Sequence, residues 1–511
     1  MNWSLSNNDK LSHQDKGYVV IWNLFGRGKG PEPPQKDLGP YSNYRLAVRL
    51  ELTQKLGVFA EVATLLAEEG ASLGAADIVS ASKSTVVRDI TFDAKNEEHG
   101  QKILELLDQL DDVKVISASD RIFMMHVGGK IQVSSKFPIN NRNTLSMAYT
   151  PGVGRVCQAI AGDPSLAYRF TSKGNSVAVV TDGSAVLGLG SLGPEAALPV
   201  MEGKVMLFHQ FAGIDAWPIC LDTRDPDEII KIVTAIAPSF GGINLEDISA
   251  PRCFEIERQL QNKLDIPVMH DDQHGTAVVV LAALHNALTV THRRLEDITI
   301  VVNGLGAAGT ACCQLLLAAG LQHLRGCDKQ GFVLRGEARE LYNRRNTLPA
   351  IIQYDKPIGT LRDALKGADV FIGLSVGNVL QPQDLDLMAQ DPIVFALANP
   401  DPELAPEAAH NLCRIYASGR SDYPNQSNNL LAFPGIFRGA LDVQARTINE
   451  SMQLAAAGAL AHVIPASSLS EEYIIPSVFN KHVVPAVAQA VAKAAQETGV
   501  ARKTSQHLIT E

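Results

Sequence analysis

Between residues 44 and 120 the spacing of apolar positions switches repeatedly between two periods. Tyr44–Leu52 alternates apolar and polar, as a half-buried strand does, whereas Val58–Glu69 spaces its Val, Phe and Leu residues as a helix does. Ile78–Ser82 and Thr85–Phe92 alternate on either side of Lys83–Ser84. His99–Leu110 returns to helical spacing, and Val113–Ser117 closes as a strand. The order predicts βαββαβ, the split ferredoxin-like arrangement. Upstream, residues 1–43 are polar, then Gly- and Pro-rich from Gly26 to Pro34, with one brief apolar stretch at Tyr18–Leu24. They read as a loosely ordered tail.

From Arg121 onward short apolar strands alternate with helical stretches, the pattern of α/β architecture with largely parallel sheets. Two such sheets are expected, one on each side of residue 290. The stretch from Gly439 is Ala-rich and helical, broken by a turn at Pro465–Ser470. The apolar run Ala277–Val290 carries His285 and Asn286 and is short for a membrane span, so it reads as a core helix. The expected organisation is a tail (1–43), a small α+β unit (44–120), an α/β domain (121–289), a second α/β domain (290–440) and a C-terminal helical segment (441–511).

At 511 residues the chain has room for about three domains. A net charge of −10 without a dense basic stripe argues against nucleic acid as a partner. A small acidic substrate stays possible, because a local cationic or metal site overrides the overall charge. The seven cysteines form no C-x-x-C pair and are odd in number, which fits reduced thiols; Cys312 and Cys313 sit together in an apolar helical pattern, as buried structural thiols do. No basic segment leading into an apolar stretch opens the chain. A cytoplasmic protein with no membrane contact is expected.

Two places carry candidate chemistry. The apolar strand Asp297–Asn303 leads into Gly304-Leu305-Gly306-Ala307-Ala308-Gly309 and then the helix Thr310–Ala319. This is G-x-G-x-x-G between strand and helix: one glycine for the tight turn, one for approach of a pyrophosphate, one for close helix–strand packing. The free amides of the helix N-terminus face the phosphates. The next strand, Leu324–Cys327, ends at Asp328, where an acid takes ribose hydroxyls and favours NAD over NADP. Lys329 and the downstream Arg335, Arg339, Arg344 and Arg345 leave NADP possible, or form a solvated face.

The second place is a pair of acidic clusters at strand ends: Ile243–Leu245 runs into Glu246-Asp247, and Ile266–Met269 into His270-Asp271-Asp272-Gln273-His274. Carboxylates there face the crevice of an α/β sheet. Three oxygen ligands suit Mg²⁺ or Mn²⁺; zinc on His270 and His274 is the rival metal, and helix capping is the purely structural alternative. Tyr149, ahead of the turn Thr150-Pro151-Gly152, and Lys204, expected to begin an apolar helix Val205–Phe211, mark no catalytic residue by themselves.

Taken together these segments resemble the malic enzyme family. The resemblance rests on SMAYTPGVGRVC (Ser146–Cys157), VAVVTDGSAVLGLGSLGPEAALPVMEGK (Val177–Lys204), NLEDISAP (Asn244–Pro251), PVMHDDQHGTA (Pro267–Ala277), FALANPDPE (Phe395–Glu403) and NNLLAFPGIFRGALD (Asn428–Asp442), in the family's order. The chain is most similar to the bacterial small-subunit type, here joined to a unit that, with Gly57 at its first strand-to-helix turn, resembles an ACT domain. The resemblance implies three parts: a ferredoxin-like ACT domain, the family's N-terminal α/β domain, and a Rossmann-type NAD-binding domain with C-terminal helices.

It implies oxidative decarboxylation of malate to pyruvate and carbon dioxide with NAD(P) and a divalent metal. It makes Tyr149 the general acid and Lys204 the general base, supported by Asp271. Glu246, Asp247 and Asp272 become metal ligands, and Asn399 and Asn429 substrate or nicotinamide contacts. One departure stands out: where larger-subunit relatives carry a substrate-gripping arginine after the T-D-G turn, this chain has Ala185. Metal charge near Lys204 is expected to lower its pKa toward neutrality. An amino-acid effector at the ACT-like unit and a homo-oligomer are further expectations. A malolactic enzyme, and a catalytically silent ACT-based sensor, are the alternative readings.

Overall fold

The computed structural model describes residues 44–337 and 358–503, so the expected tail 1–43 and Arg339, Arg344 and Arg345 lie outside the described residues. The chain divides into two compact units, the first ending at Lys130 and the second beginning at Ile131.

In the first unit the strands β1 (Tyr44–Thr53), β2 (Ser72–Ala81), β3 (Thr85–Ala94) and β4 (Val113–Asp120) form an antiparallel sheet in the order β2-β3-β1-β4, with helices Val58–Glu68 and Glu97–Asp108. Alternate residues of β1, Leu46, Val48, Leu50 and Leu52, are buried in one cluster with Val62, Leu66, Ile103 and Leu107 of the two helices. The expected βαββαβ is therefore the observed order. Strand β2 starts at Ser72, well before the expected Ile78. Its side chains are almost all exposed, and its pairing with β3 is irregular between Leu73 and Ala76. A strand held by backbone bonds alone leaves no apolar period to read. The short helix Arg121–His126 packs on β1 and β4.

The second unit holds two sheets. The first is parallel, ordered β6-β5-β7-β8, from β5 (Ser176–Thr181), β6 (Asp215–Cys220), β7 (Gly242–Leu245) and β8 (Val268–His270). The second contains β9 (Thr299–Asn303), β10 (His323–Asp328), β11 (Gly331–Glu337), β12 (Val370–Gly373), β13 (Ile393–Ala396) and β14 (Ile415–Ser418), ordered β11-β10-β9-β12-β13-β14. Its strands are parallel except β11. Strand order reverses at β9, which opens a crevice between β9 and β12 at the carboxyl ends, where such sheets bind ligands.

One apolar core joins both sheets to the C-terminal helices, running from Val177 and Phe208 through Ile300 and Val302 to Phe433, Phe437 and Val487. At its centre is the helix Asp271–Thr291. Among the described residues it alone is long and apolar enough to cross a membrane, yet 67% of its apolar stretch is buried inside the protein. Its Asn286 donates to the carbonyls of Ala461 and Ile474, each at 3.0 Å, so it is a core helix with its polar group satisfied.

Candidate active site

The two acidic clusters leave neighbouring parallel strands, β7 and β8, at their carboxyl ends. Ligand oxygens of Glu246, Asp247 and Asp272 all lie within 4.8 Å of one another. Asp247 takes a left-handed backbone (φ 53°), and its N–H donates to Asp272 Oδ2 at 2.8 Å, which locks the two clusters together. Asp247 Oδ2 is buried without a partner. Burial, then repulsion by Asp272 and Glu246, pushes Asp247 up to about 8. Burial also raises Glu246 and carries Asp272 up to about 6, although 34% of the Asp272 side chain reaches solvent. Packed carboxylates that repel one another and retain an unused oxygen fit a hard divalent cation.

The alternatives fare worse. The helix after His270 has no side-chain cap, and none of these acids serves as one. Among the described residues the group of ligand atoms close enough to share an ion is all carboxylate and includes neither His270 nor His274, which disfavours zinc.

Lys204 lies beside this cluster, 7% exposed. Its Nζ stands 2.6 Å from Asp271 Oδ2 and 2.8 Å from Glu246 Oε1, over the Phe433 ring. Asn429 donates to the same Asp271 oxygen at 2.6 Å, fixing the carboxylate from the opposite side of the chain. One expectation is corrected here. Lys204 does not begin a helix; it sits inside Pro194–Ala212, which starts with Pro194 at a position that needs no N–H and continues through the strong helix formers of EAAL. The internal Pro199 had hidden that start. Burial works to lower the Lys204 pKa, but Asp271 and Glu246 outweigh burial and hold the ammonium above its ordinary value; the expected lowering by metal charge concerns the cation-bound site.

The glycine turn follows β9. A side chain at Gly304 (φ 100°) would strike the Leu374 carbonyl, and one at Gly309 would strike the Gly304 carbonyl, so both are packing glycines. At Gly306 nothing lies within 4 Å, and the residue is exposed. The helix begins at Ala307, with Ala308 and Gly309 in its first turn, where amides have no partner within the helix. Open space in front of such amides fits a dinucleotide's phosphates. The Gly304 N–H donates to the Cys327 carbonyl at 2.8 Å, which brings the turn beside Asp328 at the end of β10. Arg335 stands on β11.

Asn399 follows β13 and is exposed. A side chain at Gly419 would come within 3.0 Å of its Oδ1, and one at Gly188 within 2.9 Å of its carbonyl, so loops from both sheets converge on it. Ala185 donates its N–H to the Asp247 carbonyl at 2.9 Å, which places a residue with no charge and no side-chain donor next to the acidic cluster. Tyr149 caps the helix Arg142–Ala148 with 68% of its surface exposed. No described contact joins it to Lys204.

Two supporting residues escaped sequence reasoning. Asn244 donates to Glu246 Oε2 at 2.9 Å. Glu257, 4% exposed, accepts from the His270 backbone at 2.8 Å and from the Gln273 and His274 side chains at 3.0 Å each, so it clamps the segment that bears Asp271 and Asp272. Only its helical phase, shared with the buried Cys253, Ile256 and Leu260, marks it out.

Residues 128–261 match the model of the malic enzyme N-terminal domain, and residues 273–496 that of the malic enzyme NAD-binding domain. The NAD-dependent malic enzyme of Geobacillus stearothermophilus is 55% identical over 458 residues, covering 90% of this chain and 96% of that protein. The bifunctional malic/malolactic enzyme of Bacillus subtilis is 52% identical over 377 residues, covering 74% of this chain and 92% of that protein. A solved malic enzyme from Pyrococcus horikoshii superposes with a TM-score of 0.68 at 48% identity, covering 75% of this chain and 91% of the other.

Proposed function

The chain belongs to the malic enzyme family, and on that premise we propose how its own residues divide the reaction. It is an NAD(P)-dependent oxidoreductase that converts malate to pyruvate and carbon dioxide. The observation that carries the assignment of roles is the placement of Lys204 between Asp271 and Glu246, against three clustered carboxylates.

Glu246, Asp247 and Asp272 would hold Mg²⁺ or Mn²⁺, and the amides around Gly306 with Asp328 would hold the dinucleotide. When bound, the cation offers Lewis-acid stabilisation of negative charge on substrate oxygens, and the nicotinamide accepts hydride. A cation held there would engage Glu246 and leave Asp271 as the carboxylate that retains the Lys204 proton. Neutral Lys204 Nζ then takes the proton of the malate carbon-2 hydroxyl as hydride leaves carbon 2, giving oxaloacetate. Asp271, held by Asn429, stabilises the ammonium so formed. The bond between carbons 3 and 4 breaks with release of carbon dioxide, and the Tyr149 hydroxyl supplies the proton that carbon 3 needs. Asn399 orients the substrate or the nicotinamide.

Separate proton carriers make a separable prediction. Lys204→Ala should lose malate oxidation, whereas Tyr149→Phe should keep oxaloacetate decarboxylation to the enol and fail to finish pyruvate. Each loss should be on the order of 10²–10⁴-fold in kcat. Unchanged turnover in either variant rejects its assignment.

The remaining parts of the reading concern assembly. Val133, Phe137, Met147 and Tyr149 are 62–78% exposed, apolar side chains that suit contact with a second copy and support a homo-oligomer. In the ACT-like unit, the exposed turn at Gly57 (φ 98°) opens the helix Val58–Glu68 without a side-chain cap. That end suits the carboxylate of an amino-acid effector.

A further inference from the structure

Glu403 is the last residue of FALANPDPE and is 0% exposed. It contributes neither a metal ligand nor a proton to the reaction above, and its partners are neutral donors. Oε1 accepts the Ser375 N–H at 2.9 Å and the Ser375 hydroxyl at 3.2 Å; Oε2 accepts the Ala398 N–H at 3.0 Å. Ser375 lies in the loop after β12, and Ala398 in the loop after β13, next to Asn399. The carboxylate thus ties together two loops that leave adjacent parallel strands at the crevice.

The tie continues to the glycine turn. Asn303, which ends β9 and precedes Gly304, donates its amide to the Ser375 hydroxyl at 2.8 Å and accepts the Leu374 N–H on its carbonyl at 2.8 Å. Room has been cut for this arrangement. A side chain at Gly373 would fall 2.3 Å from the Glu403 carboxyl carbon, and one at Gly377 would fall 2.6 Å from Asp401. The two loops are also stitched by the Asn378 N–H to Pro402 at 2.9 Å and the Leu380 N–H to Glu403 at 3.0 Å.

We propose that Glu403 is a positioning residue of the dinucleotide site, holding the Asn399 loop in register with the Gly304–Gly309 turn through Ser375 and Asn303. The inference rests on the reading that this turn and Asn399 receive the cofactor. The chemistry argues for position over packing. Burying a carboxylate is costly, and an apolar residue of similar volume fills space more cheaply. A carboxylate has two acceptor oxygens, which lets it take N–H groups from two loops at once. A glutamine keeps the volume but must turn its NH₂ toward one of those N–H groups, so Glu403→Gln breaks one tie and leaves the other.

The test is fluorescence titration of full-length wild type and Glu403→Gln with NADH, alongside Mn²⁺ binding by electron paramagnetic resonance and thermal unfolding. The NADH Kd should rise about tenfold or more, the scale of losing one hydrogen bond to a charged group. Mn²⁺ affinity should hold, because its carboxylates belong to the other sheet. A folded Glu403→Gln protein that binds NADH as wild type does, with or without a lower melting temperature, overturns the proposal and makes Glu403 a packing residue. Should that variant not fold, Ser375→Ala decides: a several-fold weaker NADH affinity with Mn²⁺ binding intact supports the tie, and unchanged affinity overturns it. Wild-type protein that binds no NADH would instead remove the cofactor assignment beneath it.

Discussion

Asp328 ends β10 with its Oδ1 accepting the Gln330 N–H at 2.7 Å, beside the turn proposed to receive the pyrophosphate. A ribose 2′-hydroxyl can donate to such a carboxylate, whereas a 2′-phosphate meets like charge there. Asp328→Ser should therefore raise kcat/KM for NADP relative to NAD by roughly tenfold, a change of about 1.4 kcal/mol. Steady-state kinetics with both dinucleotides checks it, and a wild type that already prefers NADP contradicts it. At this scale the sequence was informative wherever chemistry sits next to a strand end. Glu246, Asp247, Asp271, Asp272 and the glycines are each announced by the short apolar run before them. It named Asn429 only as a substrate or nicotinamide contact by resemblance and did not show its bond to Asp271, 158 residues away. Glu257 was hidden because an acid among RCFEIERQ looks like part of a solvated helix face. Tyr149 was marked by motif alone, and no local pattern reveals that 68% of its surface is exposed while Lys204 is buried.

Helices and strands carry the site as much as its side chains do. The helix Pro194–Ala212 buries Met201, Lys204, Val205 and Phe208 along one face. Phe208 meets the rings of Phe433 and Phe437 edge-on at 4.7 and 5.4 Å between centroids, and Phe433 also lies 4.1 Å beneath Lys204 Nζ. Truncating so buried a ring leaves a cavity, and Phe208→Ala should destabilise the fold by about 3–5 kcal/mol. Denaturant unfolding measures this; a loss below about 1 kcal/mol means that the neighbouring rings collapse into the space. The same variant should lose activity beyond its loss of folded protein, because Phe433 supports Lys204. The elements that periodicity revealed well were those with one buried face, β1 above all. Those that it misjudged were β2, whose exposed side chains carry no period, and the start of this helix, where Pro199 reads as a breaker.

The two units have separate apolar cores, one built on β1 and its helices and the other shared by the two sheets of the second unit. Every proposed catalytic, metal and cofactor residue belongs to the second. Deleting residues 1–126, which removes Arg121–His126 with the strands it packs on, should leave kcat for malate within a few-fold of the full chain. It should also abolish any response to amino acids. Kinetics of both proteins across an amino-acid panel checks this, and a truncated protein that folds but turns over no malate contradicts it. The succession of βαββαβ and two α/β sheets was legible in the chain because each architecture has its own rhythm of apolar residues. The reversal of strand order at β9 that opens the crevice was not, because strand neighbours are chosen by packing across the sheet. The central claim remains that this second unit performs metal-dependent oxidative decarboxylation. Its most direct measurement follows NADH and pyruvate together in chelator-stripped protein given malate and NAD, before and after Mn²⁺ is added. Production of both in equal amounts, only once Mn²⁺ is present, is the predicted result; lactate without net NADH, or full turnover in the chelated protein, would contradict it.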